Sequence, residues 1–286
     1  MKIVKYLIQF LIILILFFIL KIFGYKYASN IGGFIGSNLG PLFRSKKTIR
    51  HNLNSSLPDL SETQITETIK EMWSNYGRIL SDYMYIKKFR HSKLDDYIKI
   101  DGSEVFEEIK KNKKPVIFIS GHFNNFELMA MEIEKFGINV AAVYRPLNNL
   151  FLNKIMEFLR KKYICKYQIK KGFSGLRDMI YYFKKDYSIA IMIDQRVSEG
   201  INSNLFNRVA LTTTIPAQFV KKFNCKIVPI YIERINKYNY RMKINEPLEF
   251  KKEDSIGSIT QKLNIWLEEM IKKNPSQWIW SHNRWK

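Results

Sequence analysis

The chain has 286 residues, 46% of them hydrophobic, and its 47 Lys and Arg against 26 Asp and Glu leave a formal charge of +21. That length supports one sizeable domain or two small ones, and that charge points to polyanionic partners: nucleic acid, an anionic membrane surface, a phosphorylated lipid or an acidic carrier protein. Two cysteines far apart, Cys165 and Cys225, exclude a disulfide framework or a cysteine zinc site and make a reducing compartment the expectation.

From Leu7 to Leu20 every residue but Gln9 is apolar, and the run continues past Lys21 to Phe23. On a helix Lys5 and Lys21 stand about 24 Å apart, close to the hydrocarbon thickness of a bilayer, and both can snorkel. A cleaved signal peptide is the competing reading, but Tyr27-Ala28-Ser29 is a poor cleavage site, so a retained anchor over residues 1–25 is expected. Most of the flanking positive charge follows the apolar run (Lys26, Arg44, Lys46, Lys47 and Arg50, against the acid Asp59), which places the remaining chain on the cytoplasmic side, against anionic headgroups. Gly32, Gly36 and Gly40 form a smooth helical strip, expected to pack against the anchor or the membrane. Residues 61–99 read as helical, opened by the capping-box pattern Ser61-Glu-Thr-Gln64 and continued by Ile65, Ile69, Met72, Trp73 and Tyr76. Tyr76, Tyr83, Met84 and Tyr85 either face a lipid or pack in the core, and core is the expectation.

Beyond residue 97 the pattern alternates. Strands are predicted at Tyr97–Ile100, Val116–Ser120, Val140–Tyr144, Ile189–Ile193 and Ile227–Ile232. Helices are predicted at Phe106–Lys111, Phe126–Phe136, Asn149–Lys162, Gly175–Lys184, Pro216–Phe223 and Ile259–Lys273. This predicts an α/β fold, a layered mixed sheet with flanking helices behind one N-terminal membrane helix, with its site at the strands' carboxyl ends. The expected organisation is an anchor at 1–25 and one domain at 26–286, divided into a helical part (26–96) and an α/β core (97–286).

The stretch from Lys114 to Met131 carries the strongest chemical signal. A buried strand ends at Ser120, Gly121 breaks it, and the Asn124-Asn125 pair is expected to cap the helix that follows, which Gly137 ends. His122 and Glu127 would point about 140° apart on one continuous helix, so they meet only if His122 sits in the loop and Glu127 in the first turn. From the residues alone His122 is either a structural histidine or a general base held by a carboxylate. Two more predicted strand ends are polar: Tyr144-Arg145-Pro146 and Asp194-Gln195-Arg196. Arg145 and Arg196 can hold a phosphate or polarise a thioester or ester carbonyl, or pair structurally with Asp194. Lys154, Arg160, Lys161, Lys162, Lys166, Lys170 and Lys171 face the one acid Glu157, either as a solvated face or as a dock for an acidic partner. No nucleic-acid reader motif accompanies them, so nucleic acid is not the expected partner. Gly172-Phe-Ser-Gly175 misses the nucleophile elbow, because Leu176 stands where the second glycine belongs. No P-loop and no His-Glu-x-x-His helix occurs, and direct attack by a hydroxyl fits better than a covalent acyl-enzyme.

Taken together, the order of these elements resembles the bacterial lipid A biosynthesis acyltransferases, over nearly the whole chain. The resemblance lies in Arg50-His-Asn-Leu-Asn-Ser-Ser-Leu-Pro-Asp-Leu-Ser61, in Gly121-His-Phe-Asn-Asn-Phe-Glu127 as a His-x4-Glu box, in Tyr144-Arg-Pro146 and in Asp194-Gln195. It continues through Leu205-Phe-Asn-Arg-Val-Ala-Leu-Thr-Thr-Thr214 and Ile227-Val-Pro-Ile-Tyr231 to the tail Pro275-Ser-Gln-Trp-Ile-Trp-Ser-His-Asn-Arg-Trp-Lys286. Asn207 and Ile215-Pro216 depart from it where glycines are usual. The resemblance implies a glycerolipid-acyltransferase-like fold and an inner-membrane enzyme. That enzyme takes an acyl chain from acyl carrier protein to a hydroxyl of a lipid A precursor, at an anionic phospholipid membrane. It implies catalysis by His122 and Glu127, with Glu127 orienting the imidazole, and substrate binding by Asn125, Arg145, Asp194, Gln195, Arg196 and Arg208. No metal or redox cofactor is implied. An acyltransferase for another membrane lipid, or a tethered basic recruitment module, remains as an alternative.

Overall fold

Helix α1 (Lys2–Ile22) leaves most of its length exposed, with Ile3, Ile12, Ile15, Phe18 and Ile22 each at least 59% accessible. It is long and apolar enough to cross a membrane by length and composition. Its C-terminal end is tied into the body of the protein, where Leu20 is buried and the Tyr85 hydroxyl donates to the Leu20 carbonyl at 3.1 Å. The structure is a computed structural model describing residues 2–285, with the backbone alone considered at Phe173. Met1 and Lys286, the outer limits of the expected anchor and domain, lie outside the described residues.

Helices α2 (Tyr25–Leu39), α3 (Lys46–Ser56), α4 (Glu62–Asp82) and α5 (Ile86–Arg90) form the N-terminal part. The capping box closes as the pattern predicts, with reciprocal bonds between Ser61 and Gln64. The glycine strip packs on another helix than α1. It packs on α4, where a Cβ at Gly32 would stand 2.5 Å from the Gly77 carbonyl oxygen and one at Gly36 only 2.2 Å from that of Trp73. Gly77, which the sequence pattern does not single out, completes the crossing from the other side: a Cβ there would stand 1.9 Å from the Gly32 carbonyl oxygen.

The α/β core runs β1 (Ile98–Asp101), α6 (Ser103–Asn112), β2 (Ile117–Ser120), α7 (Glu127–Lys135), β3 (Val140–Tyr144), α8 (Leu150–Leu159), a wide turn (Arg160–Ile164) and β4 (Tyr167–Lys170).

 Helix α8 itself ends at Leu159. There follow α9 (Phe173–Phe183), β5 (Ser188–Met192), the hairpin β6 (Ile201–Leu205) and β7 (Arg208–Thr212), α10 (Ile215–Phe223), β8 (Ile227–Arg234), β9 (Tyr240–Ile244) and α11 (Ile256–Lys273). Strands β4, β6, β7 and β9 escape the sequence reading, because each mixes polar and apolar residues without a run long enough to stand out. The main sheet has the order β1-β9-β8-β2-β5-β3-β4. Strands β8, β2, β5, β3 and β4 run parallel, and β9 turns back antiparallel to β8 with β1 parallel to it, so the sheet is mixed. Strands β2 and β8 are buried along their whole length, as strands covered on both faces must be. Phe106 of α6 packs edge-on against Phe118 of β2, and α9 meets α10 through Phe183 and Phe219.

Candidate active site

The carboxyl ends of β2 and β5 build the centre of the site. These neighbours pair in parallel with Ser120 opposite Met192. Two residues further along each chain, the same register sets His122 beside Asp194. The Asp194 Oδ1 lies 2.7 Å from His122 Nδ1, and its Oδ2 accepts from the His122 backbone N–H and the Trp278 indole N–H, each at 2.9 Å. Burial alone would raise the Asp194 carboxyl, but the His122 imidazole and these donors hold it well below the usual carboxylate range. An ionised Asp194 takes the Nδ1 proton of His122 as a hydrogen bond and leaves Nε2 as the basic nitrogen.

Glu127 sits in the first turn of α7, as the spacing requires, yet its hydrogen bonds go elsewhere. The carboxylate accepts from the Tyr83 hydroxyl and from Arg160, whose Nε lies 2.9 Å away. The expected orientation of the imidazole by Glu127 is therefore corrected: the carboxylate on Nδ1 belongs to Asp194, a residue expected to bind substrate. Burial and the neighbouring Glu127 push the Tyr83 phenol far up, keeping it a neutral donor. The wide turn Arg160–Ile164 ends α8 and carries Arg160 inward, away from the basic surface in which its sequence neighbours lie.

The expected cap is also replaced. Helix α7 begins after Phe126 without a side-chain cap. Asn124, with a positive φ of 37°, accepts from the Asn125 backbone N–H and donates to the Gln277 Oε1 at 3.0 Å. Asn125 donates to Asp82 at 3.3 Å, so it braces the loop against α4 rather than facing a substrate. Arg208 lies on the β6–β7 hairpin with its guanidinium 4.4 Å from the Trp285 ring, and Arg196 is exposed beyond β5. Among the described residues that line the main cavity are His122, Glu127, Arg145 and Gln195, but not Asn125, Asp194, Arg196 or Arg208.

That cavity has a volume of about 730 Å³, within the range of roughly 300–1,000 Å³ usual for small-molecule sites. Its buried lining is mostly apolar, with Met129 and Ile133 of α7, Ile164 of the wide turn, Met179 of α9 and Ile191 of β5, and its polar part is the Glu127–Arg160 pair with Ser120, Thr213 and Thr214. The exposed lining carries the charged Arg44, Arg145, Lys171 and Glu199 beside Leu147 and Asn148. Loss of hydration against the cavity wall, and the neighbouring Arg145, lower the Lys171 ammonium. His122 and Gln195 stand between the two zones, half-buried.

The C-terminal segment locks this geometry. Besides Trp278 on Asp194, Gln277 accepts from the backbone N–H of Arg234 at 2.7 Å and donates to its carbonyl at 2.8 Å. Arg284, fully buried, donates to the Leu211 carbonyl and the Thr212 hydroxyl at 2.7 Å each. Asn52 of α3 donates to the carbonyls of Trp280 and His282, both at 3.0 Å. His282 lines the cavity, 6.5 Å from His122 between ring centroids. Trp278, His282, Tyr83 and Arg160 were not singled out as site residues from the sequence. The tail motif contains the first two; nothing local marks the last two.

A carboxylate on Nδ1 and a cavity that reaches the ring give His122 the surroundings of a general base, a chemistry that several enzyme classes share. The comparisons specify the class. The family model described as bacterial lipid A biosynthesis acyltransferase matches residues 1–286, and the chain belongs to that family. It is 20% identical over 255 residues to the lipid A biosynthesis myristoyltransferase of Escherichia coli (strain K12), covering 88% of this chain and 77% of that one. It is 22% identical over 265 residues to the lipid A biosynthesis lauroyltransferase of the same organism, covering 88% and 84%. Among solved structures, the 1-acyl-sn-glycerophosphate acyltransferase PlsC of Thermotoga maritima aligns with a TM-score of 0.44 and 14% identity, covering 93% of this chain and 99% of that one.

Proposed function

We propose that this acyltransferase moves a fatty acyl chain from acyl carrier protein to a hydroxyl of a lipid A precursor, with His122 as the general base. The observation that carries this reading is the Asp194-held imidazole at the junction of the apolar cavity and its cationic mouth. His122 Nε2 takes the proton of the acceptor hydroxyl. The oxygen then attacks the thioester carbonyl carbon, the carbon–sulfur bond breaks, and the thiolate leaves with the proton returned by the imidazolium. The apolar depth of the cavity holds the acyl chain. Arg145 at the mouth faces the anionic charge of the substrates, and Glu127 acts one step removed by fixing Arg160 in the cavity wall.

A membrane-bound acceptor suits the surface around the mouth. Leu42 and Phe43, next to Arg44, are 75% and 76% exposed, and Leu150 and Phe158 of α8 are exposed beside the anchor. Helix α1 packs on α8 through Phe10 and Phe151, and Asn149 donates to the Tyr6 carbonyl at 2.9 Å. An apolar rim with basic flanks docks on anionic phospholipid. The reading places residues 1–25 as the anchor in the bacterial inner membrane and residues 26–286 as the acyltransferase domain on its cytoplasmic side. Nucleic acid has no part in it.

The test is a mass-spectrometric transfer assay on detergent-purified protein with acyl carrier protein loaded with C10–C16 chains. Parallel acceptors are an under-acylated lipid A precursor and a lysophospholipid. The expected result is a gain of one acyl chain on the lipid A precursor, lost in His122→Ala. A gain on the lysophospholipid alone would reassign the acceptor, and a gain that survives His122→Ala would remove the general base.

A further inference from the structure

Gln195 has a contact that the reaction as described leaves unused. Its side-chain Nε2 lies 3.3 Å from His122 Nε2 and 3.2 Å from His282 Nε2. A primary amide has two N–H donors, and here each one meets an imidazole nitrogen. With the amide in this orientation both nitrogens are bare acceptors, which agrees with a His122 that carries its proton on Nδ1 toward Asp194. Turned over, the amide oxygen would need an Nε2–H on both rings, and His122 would then be a cation before any substrate proton had moved. His282 is suited to the neutral form: burial lowers its imidazole, as do His122, Arg44 and Arg145, against the opposing pull of Asp194. The carbonyl of His282 is held in turn by Asn52. The tail thus holds one side of the amide and leaves the other on the basic nitrogen.

We propose that Gln195 is a further catalytic residue, whose N–H donates to the oxygen of the acceptor hydroxyl while that hydroxyl gives its proton to His122 Nε2, and that His282 is the positioning residue that keeps the amide from turning over. The inference rests on His122 as the base. Its contact of 3.3 Å lies beyond the ordinary range of strong hydrogen bonds, so an entering hydroxyl replaces it readily. The hydroxyl oxygen then accepts from Gln195, donates to His122, and turns its remaining lone pair to the thioester carbonyl. Its proton passes to His122, the new carbon–oxygen bond forms as the carbon–sulfur bond breaks, and the thiolate is protonated from the imidazolium. Gln195 stays neutral throughout and contributes alignment of the nucleophile.

Steady-state kinetics on the full-length protein, with loaded acyl carrier protein and the acceptor that the wild type uses, tests this. Gln195→Met keeps the length of the side chain without a donor and is expected to lower kcat by roughly 10–100-fold, with KM for both substrates within about twofold. His282→Ala is expected to lower kcat less, and His282→Gln, whose amide oxygen can accept the same N–H, to restore most of it. Melting temperatures accompany each variant, and Gln195→Leu, which neither donates nor accepts, takes the place of Gln195→Met if that protein does not fold. Wild-type kcat in the Gln195 variant, or a loss confined to KM, overturns the proposal. An inactive His122→Ala beside a fully active Gln195→Met removes this inference alone, whereas an active His122→Ala removes the base and this inference together.

Discussion

Two aspartates of this protein are equally hidden and differ in what they do. Asp194 and Asp82 are 1% and 0% exposed, and each carboxylate collects several donors. Asp82, at the end of α4, accepts from Arg234 at 2.8 Å, from the Tyr240 hydroxyl and from Asn125, all of them buried. Asp194 collects Trp278 and His122, and His122 alone among these partners opens on a cavity. Burial and pairing therefore do not by themselves mark a catalytic group. The Asp82 cluster joins α4 to β8 and β9 and is closed to substrate, whereas Asp194 orients a ring that substrate can reach.

Substitution separates the two. Asp194→Asn keeps the shape but removes the preference for an Nδ1 proton, and kcat is expected to fall by roughly 10³–10⁴-fold with the fold retained. Asp82→Ala leaves Arg234 buried without its counter-charge, and is expected to cost about 3–5 kcal/mol of stability while the folded fraction keeps a kcat near that of the wild type. Denaturant unfolding beside kinetics reads both, and a stable but inactive Asp82→Ala protein would erase the distinction. Between them lies Glu127, buried like Asp82 yet on the cavity wall like His122. Glu127→Gln is expected to lower both kinds of number, with kcat down by roughly tenfold or more as Arg160 loses its tether and stability down by about 1–3 kcal/mol.

The smallest expected effect is one of pH. His282 has a lowered value in the fold against about 6.5 for a free imidazole. Its stabilising contribution is complete above about pH 6.5 and is lost as the pH falls through the folded value, because the unfolded chain binds the proton more tightly. Asp194, also lowered, loses its contribution only under stronger acid, below the free carboxyl value of about 3.9. Melting temperatures taken at pH 7.5, 6.5 and 5.5 are expected to decline less in His282→Gln than in the wild type. An identical decline would mean that His282 is not held neutral.

Much of the outline could be read without coordinates. The apolar N-terminal helix, the capping box at Ser61, the alternation after residue 97 and the loop position of His122 follow from hydrophobic period, caps and breakers, which act over a few residues and so are written locally. The hairpin turn at Phe206-Asn207, both at positive φ, shows how far such local rules reach: Asn207 stands where a glycine is usual and tolerates the left-handed backbone. Pairing across the fold was decided only by tertiary structure. Asp194 reaches His122, 72 residues away, through the parallel register of β2 and β5, and Glu127 finds Tyr83 and Arg160 because a wide turn brings Arg160 inward. The glycine strip found Gly77 on α4, and the tail brought Trp278 to Asp194, 84 residues away, and His282 to Gln195, 87 residues away. A side chain's type and spacing state what it can bond with; which partner it meets depends on strand order, register and helix crossing, and those are set by the packing of the whole core.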